Sequence, residues 1–404
     1  MARSGYKTCS SMYTIIGLAV VICVAAVQAE LRQVNVVFRH GDRTPDDNSN
    51  EAYPNDPYYN YDFFPEGRGQ LINNGKQREY RLGRVLHNRY SKFLGSYYTP
   101  NTVFGISSDY DRTKMSLQLV LASLFPPNRE QKWNPQLNWQ PIPTRYLRRA
   151  EDNVFLGDEC PLYLQEYERV TNTPEGKRQL SRFDGLMKQL TIWTGKNVTN
   201  AFDMYYLYHT LMAEYSDGLI LPDWAYEVFP YGELWNGTVL WYETASATTL
   251  QRRLNAGPYL RLVTKSMLAR VAGTSENIRK IYLYSGHETN VAAVLFALGL
   301  YTPHVPGYSS AVILELHEIE DKFFVKVLHY WGIPPKVEEL AIPNCDLMCP
   351  LDQFLKSIKD VIPSNEELKC NKKSTEQYAD TISLEELDVE KYDLIRISKT
   401  PDKN

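Results

Sequence analysis

Three short polar segments of this sequence could act together on one chemical group. They are segment 39–45 (RHGDRTP), the arginine Arg112, and the pair His287-Glu288. Guanidinium groups that meet at one place need an anion to balance them, and the planar fork of arginine matches two oxygens of a phosphoryl group. A neutral imidazole beside a bound phosphoryl group is a competent nucleophile. The pattern therefore predicts phosphoryl transfer, with a histidine attacking and arginines stabilising the charge on the transferred group.

Each of these residues also has a purely structural interpretation. A single histidine at a strand end usually serves packing, and Arg112 alone would pair with a nearby acid such as Asp109 or Asp111. The motif Arg-His-Gly-x-Arg-x-Pro is more specific, because five fixed residues in order rarely occur by chance. Within it, Gly41 would let the backbone come close to a ligand.

Three apolar runs lead into the polar segments. They are Val34–Phe38, Thr102–Ser107 and Lys280–Tyr284. Short apolar runs of this kind predict strands, and the near-continuous first and last runs predict strands buried on both faces of a sheet. In open α/β sheets, ligands bind where strands end and helices begin, so we expect the three polar segments to meet at one edge.

Helices are predicted after each of these strands. Gly75–Leu94 has an apolar face, a helix capped by a Ser or Asp of segment 108–111 runs through Leu124, and Val291–Leu300 is apolar throughout. The chain's middle, about residues 160–235, also has a helical pattern, because apolar residues recur there at helical spacing.

Further helices and strands complete the predicted fold. Gly176–Trp193 and Ala201–Ser216 are expected to be helices, and Ala311–His317 and Phe323–Tyr330 a pair of strands. This alternation predicts an α/β fold, in which a mixed central sheet carries helices on both faces and a smaller helical domain is inserted.

These segments together resemble the histidine acid phosphatases, the second branch of the histidine phosphatase superfamily. Segment 39–45 matches their signature, segment 108–116 (SDYDRTKMS) their second arginine motif, and segment 284–287 (YSGH) the approach to their second histidine. Segment 75–86 looks like their first long helix, and the likeness covers about residues 31–370. In general look the sequence is similar to animal prostatic and lysosomal acid phosphatases, and closer still to secreted venom acid phosphatases of stinging insects.

The resemblance implies a phosphoglycerate mutase-like fold and a two-step reaction through a phosphohistidine, without metal or cofactor. On that basis His40 is the nucleophile. Arg39, Arg43 and Arg112 bind the phosphate of small monoester substrates together with His287.

One position departs from the family pattern. The family usually has His-Asp where this chain has His287-Glu288, and the aspartate is held to protonate the leaving alcohol. Glutamate has a similar intrinsic pKa but is one methylene longer, so Glu288 can serve as the proton donor only if the geometry adapts. Asp42 and His287 itself are the alternative donors.

The overall charge excludes some classes of partner. The chain has 404 residues, with 44 Lys and Arg against 48 Asp and Glu. Residues 1–29 contribute two of the bases and no acid, which leaves 42 against 48, or −6. A mildly acidic chain gives no electrostatic reason to expect nucleic acid or an anionic membrane as a partner.

The N-terminus has the pattern of a secretory signal. Arg3 and Lys7 precede the apolar run Ile15–Val27, which is too short to span a bilayer comfortably. We expect cleavage of residues 1–29, with an uncleaved anchor as the alternative.

The remaining chain divides into three parts on this interpretation. We expect an α/β phosphatase domain of residues 30–140 and 240–370, a helical insertion domain of residues 141–239, and a charged, mobile tail of residues 371–404. The tail carries no signal for a membrane or lipid anchor.

Four cysteines follow the signal, and an even number in a secreted chain suggests disulfides. Three pairings are open. Cys345 and Cys349 are close enough for a local bridge, which would leave Cys160 with Cys370. A zinc site is the rival, but the chain lacks a second ligand pair at the usual spacing.

The compartment follows from the same features. Asn197 and Asn236 begin glycosylation sequons, which fits a secreted glycoprotein. Secretion, for instance into venom, is the leading prediction, lysosomal delivery is the alternative, and the chain could form a homodimer.

Three functional hypotheses remain open. The first is a secreted acid phosphatase acting on phosphate monoesters. The second is a phytase-like inositol polyphosphate phosphatase, which the acidic chain disfavours because such substrates are highly anionic. The third, suggested by Glu288, is a weakly active phosphate-binding or allergenic secreted protein.

Overall fold

A computed structural model describes residues 29–46, 50–273 and 278–370. The predicted charged tail, and all of the predicted signal except Ala29, lie outside these residues. Among the helices of the described ranges, none is both long and apolar enough to cross a membrane.

Strands and helices alternate near both ends of the described chain. The strands are β1 (Glu30–Arg39), β2 (Val103–Ser107), β3 (Arg145–Tyr146), β4 (Ile281–Gly286), β5 (Ala311–Ile319), β6 (Lys322–Tyr330), β7 (Val337–Leu340) and β8 (Cys349–Pro350). The helices are α1 (Asn73–Leu94), α2 (Asp111–Leu124), α3 (Pro161–Thr171), α4 (Pro174–Ser181), α5 (Asp184–Thr194), α6 (Ala201–Ser216), α7 (Ala225–Val228), α8 (Glu233–Ala245), α9 (Thr249–Asn255), α10 (Gly257–Ala272), α11 (Glu288–Ala297), α12 (Leu351–Ile358) and α13 (Asn365–Lys369).

The strands of the described residues form one mixed sheet in the order β3-β2-β4-β1-β5-β6-β7, and β8 also pairs with β6. Strands β3, β2, β4 and β1 are parallel. The remaining strands are antiparallel to their neighbours, beginning with β5 against β1. The mixed α/β sheet predicted from the sequence is therefore confirmed.

Both faces of the sheet are covered, as alternate residues of β1 show. Val34, Val36 and Phe38 belong to a hydrophobic cluster with α1 and α2. Val37 belongs to another cluster, which includes residues of α10, α11 and α12. Successive side chains of a strand point to opposite faces, so a strand between two helical layers is apolar almost throughout. This confirms that helices lie on both faces.

A further hydrophobic cluster lies in the middle of the chain. It joins residues of α5, α6, α7 and α8, among them Leu190, Met204, Leu211 and Leu234. Tyr53, from the loop before α1, also belongs to it. The cluster shows a helical packing unit in this region, while the exact domain boundaries remain a prediction.

Three local predictions need correction. The helix expected over Gly176–Trp193 is two helices, because Phe183 leaves helical dihedral angles and buries its side chain. Neither Ser nor Asp caps α2, whose N-cap is Tyr110 without a side-chain hydrogen bond. Helix α11 begins at Glu288, three residues earlier than predicted, and ends before Gly299, which has φ of +70°.

The cysteines are joined as two disulfides, Cys160–Cys370 and Cys345–Cys349. The first ties the segment before α3 to the end of the described chain. Both sequon asparagines, Asn197 and Asn236, are exposed.

Candidate active site

Three parallel strands bring the polar segments together. In the sheet, β4 lies between β1 and β2, and Arg39 is opposite Gly286. The backbone N–H of His40 donates to Gly286 O at 3.0 Å, and that of Ser108 donates to Ser285 O at 3.2 Å. The residues that follow the three strands therefore meet at one edge, where the sequence predicted a ligand site.

His40 is held in one tautomer. Its Nδ1 lies 2.8 Å from Gly41 O, and a carbonyl oxygen can only accept, so Nδ1 carries the hydrogen and Nε2 keeps its lone pair. Burial, then the charge of Arg112, hold the pKa of His40 well below its usual value, and Arg39 and Arg43 add to the effect. His40 is therefore neutral in mildly acidic solution.

Packing requires a glycine directly after His40. A Cβ on Gly41 would lie 2.5 Å from Gly75 O. A Cβ on Gly75 would lie 2.1 Å from Asp42 O. These two glycines let the first turn of α1 pack directly against the loop after β1, and they fix that loop.

Each of the three candidate arginines is paired with a carboxylate. The pairs are Arg39 Nε with Glu288 Oε2 (3.2 Å), Arg43 Nη1 with Glu51 Oε2 (2.9 Å), and Arg112 Nη1 with Asp46 Oδ2 (3.0 Å). The Nε atoms of Arg43 and Arg112 are also buried, and they have no hydrogen-bond partner within the described residues. Because a buried donor without an acceptor is costly, these groups favour an anionic ligand.

The structural alternative considered for Arg112 named the wrong partners. Arg112 pairs with Asp46 from the loop after β1, whereas Asp109 pairs with Lys114 at 2.5 Å. The guanidinium of Arg112 also lies over the ring of Tyr110, with the carbon 4.4 Å from the ring centroid.

His287 lies beside His40, with 5.6 Å between the ring centroids. The hydroxyl of Ser108 is 2.9 Å from its Nε2, and the ring of Tyr110 packs edge-on against it at 5.0 Å. Burial, then the charge of Arg112, lower the pKa of His287 to about 3, although the charge of Glu288 opposes them. A neutral His287 can donate a hydrogen bond without adding charge.

Glu288 is held as a carboxylate. It lies at the N-terminus of α11, pairs with Arg39 and accepts a short hydrogen bond from the hydroxyl of Tyr205. Burial acts to raise the pKa of this carboxyl. The positive charge of the Arg39 guanidinium outweighs burial and holds the pKa of Glu288 well below its usual range.

Sequence reasoning missed several side chains that surround these groups. Glu51 pairs with Arg43. The ring centroid of Tyr308 lies 4.1 Å from the guanidinium carbon of Arg39. His209 is on α6, 170 residues from Arg39 in the sequence. No motif marks these residues, and only the repeat of Tyr205 and His209 at helical spacing could have suggested a shared face.

The site opens into a cleft of about 1030 Å³. Its charged lining includes Arg43, Arg112 and Arg149. It also includes six acids, Asp46, Glu51, Asp158, Glu159, Glu168 and Glu288. Aromatic side chains line the cleft as well, among them Tyr110, Phe202, Tyr206 and Trp241. In the described part of the chain, no three His, Cys, Asp or Glu side chains are grouped so that they could hold a metal ion.

Comparison with known proteins identifies the class. Residues 30–330 match the model of the histidine phosphatase superfamily, branch 2. The chain belongs to this superfamily, as its strand-end motifs predicted.

The similar proteins narrow the class to acid phosphatases. The chain is 55% identical to the venom acid phosphatase of Apis mellifera over 386 residues, which cover 96% of this chain and 99% of the relative. It is 31% identical to the lysosomal acid phosphatase of Homo sapiens over 373 residues, covering 91% and 86% of the two chains. These relatives confirm the prediction of an acid phosphatase.

Solved structures agree on the fold. The phytase of Citrobacter braakii superposes with a TM-score of 0.62 and 18% identity, over 84% of this chain and 99% of that one. The phytase of a Klebsiella species gives a TM-score of 0.63 at 14% identity, covering 84% and 99% of the chains. At such low identity the likeness concerns the fold alone.

Proposed function

We propose that this acid phosphatase hydrolyses phosphate monoesters through a phosphohistidine on His40. The carrying observation is the neutral imidazole of His40, with its Nε2 lone pair free, beside Arg39, Arg43 and Arg112. The Nε donors of Arg43 and Arg112 are buried and lack an acceptor within the described residues. Nε2 attacks the phosphorus and the alcohol leaves. Water then attacks the phosphorus of the phosphohistidine, which frees inorganic phosphate and restores the imidazole.

The three arginines and His287 bind and stabilise the phosphoryl group. Arg39, Arg43 and Arg112 supply charge where it develops on the equatorial oxygens. Their carboxylate partners keep the cluster close to neutral before substrate arrives. A phosphoryl dianion competes with those carboxylates for the guanidinium groups.

Glu288 is the proposed proton donor for the leaving alcohol, and the substrate itself prepares it for this role. Before binding, Arg39 keeps Glu288 ionised. A bound phosphoryl dianion shares that guanidinium and adds a negative charge nearby, and both effects raise the pKa of Glu288. Proton uptake from a mildly acidic solution then makes it a general acid.

Small or singly phosphorylated substrates fit the cleft better than inositol polyphosphates do. Besides Arg43 and Arg112, which belong to the phosphate site, the only arginine lining the described cleft is Arg149, and it is paired with Glu159. Three of the six acids balance the arginines of the phosphate site, so the acids that a substrate with further phosphates would meet are Asp158, Glu159 and Glu168. This argues against the phytase-like alternative.

We propose secretion as the destination, with carbohydrate on Asn197 and Asn236. The relatives include a venom enzyme and lysosomal enzymes, so the comparisons leave both destinations open. Both asparagines are exposed, which a glycosylation site requires. A homodimer stays a prediction.

One experiment tests the function. The purified, secreted protein is assayed from mildly acidic to neutral pH with p-nitrophenyl phosphate, glycerol 2-phosphate and phytate. We expect turnover of both monoesters in acid and much lower kcat/KM for phytate. Preferred hydrolysis of phytate would support the second hypothesis, and stoichiometric phosphate binding without turnover the third.

A further inference from the structure

Helix α6 contacts the phosphate site from the helical part of the chain. Tyr205 donates to Glu288, and His209, one turn later, lies against Arg39. The hydroxyl of Thr210 donates to the backbone oxygen of Glu51 at 2.9 Å. One helix therefore touches two of the three arginine–carboxylate pairs.

The hydrogen bonds of His209 fix its tautomer. Its Nδ1 lies 3.4 Å from Arg39 Nη2, and a guanidinium can only donate, so Nδ1 is the acceptor. The hydrogen is then on Nε2, which lies 3.1 Å from the hydroxyl oxygen of Tyr242. Arg39, His209 and Tyr242 are each 2% exposed, so water does not compete for the hydrogen bonds of His209.

Arg39 is oriented by neutral groups as well as by Glu288. Its Nη1 donates to Pro306 O at 2.7 Å, its Nη2 contacts His209, and its guanidinium lies over the ring of Tyr308. None of these three neighbours carries a formal negative charge.

A neutral acceptor suits this position physically. A second carboxylate in place of His209 would also orient the Arg39 guanidinium, but it would neutralise the positive charge of that group. The phosphoryl group would then have to displace the carboxylate. A neutral imidazole directs the N–H groups and leaves the positive charge available for substrate. Burial lowers the pKa of His209 to about 3, so it remains an acceptor in mildly acidic solution.

We infer that His209 is a positioning residue for the phosphatase reaction, which orients the Arg39 guanidinium toward the transferred phosphoryl group through a neutral hydrogen bond. The inference rests on the proposed function. It adds a residue of the helical part to a site whose other groups come mostly from strand ends.

The test compares His209→Leu, His209→Asn and His209→Gln in the full secreted protein. Leucine removes the acceptor and keeps an apolar volume, and we expect kcat/KM for p-nitrophenyl phosphate to fall by about 10- to 100-fold, with weaker inhibition by inorganic phosphate. Asparagine places a carbonyl oxygen near the Nδ1 position and should recover most of the loss. Glutamine reaches the Nε2 position instead and should recover less.

A matched control separates positioning from stability. His329 is another buried histidine whose pKa burial lowers to about 3, and it packs against His304 and Trp331. His329→Leu should lower Tm while leaving kcat/KM near wild type. Wild-type kcat/KM in His209→Leu would overturn the inference. If the leucine variant does not fold, glutamine equal or superior to asparagine would overturn it. Absence of wild-type turnover would instead contradict the proposed function.

Discussion

The strand ends and helix α6 contribute to the same site in different ways. Backbone hydrogen bonds to β4 place His40 and Ser108, such as the 3.0 Å bond from His40 to Gly286 O, and His287 directly follows β4. Helix α6 belongs to the hydrophobic cluster of the chain's middle, and side chains such as Tyr205 and His209 make its contacts with the site. Backbone pairing fixes the reacting group rigidly, whereas side chains from a separate layer adjust the charge and direction of its neighbours.

The two regions also use buried histidine differently. At the strand end, the Nδ1–H of His40 is bonded to a carbonyl and its Nε2 lone pair is free for reaction. On α6, the Nδ1 lone pair of His209 is engaged by Arg39. Burial lowers the pKa of both histidines, which suits the proposed attack by His40 and the proposed orientation of Arg39 by His209.

The largest expected effect is on the reacting group of the strand-end region. His40→Ala should lower kcat by on the order of 10⁴-fold or more, because the covalent route is lost. Acid-labile, base-stable labelling by a phosphorylated substrate, followed after rapid quenching, should disappear. His329→Ala is the control and should keep the label. Labelling that persists in His40→Ala would move the nucleophile elsewhere.

The second-largest expected effect is the loss of activity when a phosphate-binding arginine is replaced. Arg43→Lys and Arg112→Lys should each lower kcat/KM by about 10²- to 10³-fold, because a point charge cannot reproduce the guanidinium fork. Arg43 and Glu51 are both almost fully buried, so Arg43→Lys should also lower Tm, whereas Arg112 lies nearer the cleft and its variant should melt close to wild type.

A second arginine–glutamate pair supplies the control for these variants. Arg89 pairs with Glu315 at 2.7 Å, on a hydrophobic cluster shared by α1 and the sheet. Arg89→Lys should change stability without changing kcat/KM. Near-normal kinetics in Arg112→Lys would show that Arg112 is only an ion-pair residue.

Glu288 contacts both regions, since it pairs with Arg39 at the end of β1 and accepts from Tyr205 of α6. Glu288→Gln should lower kcat for glycerol 2-phosphate by about 10²- to 10⁴-fold, because an alkoxide leaves poorly without a proton. It should affect p-nitrophenyl phosphate far less, since nitrophenolate is already a stable anion. The variant should also lose the decline of activity towards neutral pH that deprotonation of Glu288 causes.

Conservative replacement completes that test. Glu288→Asp should keep appreciable activity if the shorter side chain still reaches the leaving oxygen. Equal slowing of both substrates by Glu288→Gln would assign the proton to another group, with Asp42 or His287 the next candidates.

The smallest expected effect concerns stability. The pKa values of His209, His287 and His329 are lowered to about 3, from 6.5 in the unfolded chain, mainly by burial. Between these values the unfolded state binds more protons, so the free energy of unfolding should fall as pH falls below about 6.5. Each of the three histidines adds to that fall.

One buried acid has the opposite effect. Burial raises the pKa of Glu214 from 4.5 to about 9, so its contribution is complete in acid and is lost as pH rises between these values. Urea unfolding of His329→Leu should show a shallower acid slope than wild type, and Glu214→Gln a shallower loss above neutrality. Parallel curves for all three proteins would show that these groups titrate alike when folded and unfolded.

The strand-end motifs could be predicted because local sequence determines them. An apolar run predicts β1, and the polar segment after it predicts a ligand site, since a buried strand must end where its side chains turn polar. The paired strands β5 and β6 and helix α6 were predicted for the same reason. The predicted helix boundaries were less accurate. For example, Phe183 is buried between α4 and α5, where one continuous helix was predicted.

The partners of the site residues could not be predicted, because each is distant in sequence. Arg112 had two acids close by, yet the fold supplies Asp46. Arg39 meets His209 only because α6 lies against the end of β1, and no spacing in the chain records that contact.

The sequence by itself therefore determined the family, the kind of chemistry and the residues at the three strand ends, since these depend on motifs in continuous segments. Only the tertiary structure decided which of the site's side chains carry a proton, and on which atom. The tautomer of His40, the ionised state of Glu288 and the neutral acceptor at His209 all depend on burial and on groups that only packing brings within hydrogen-bond distance.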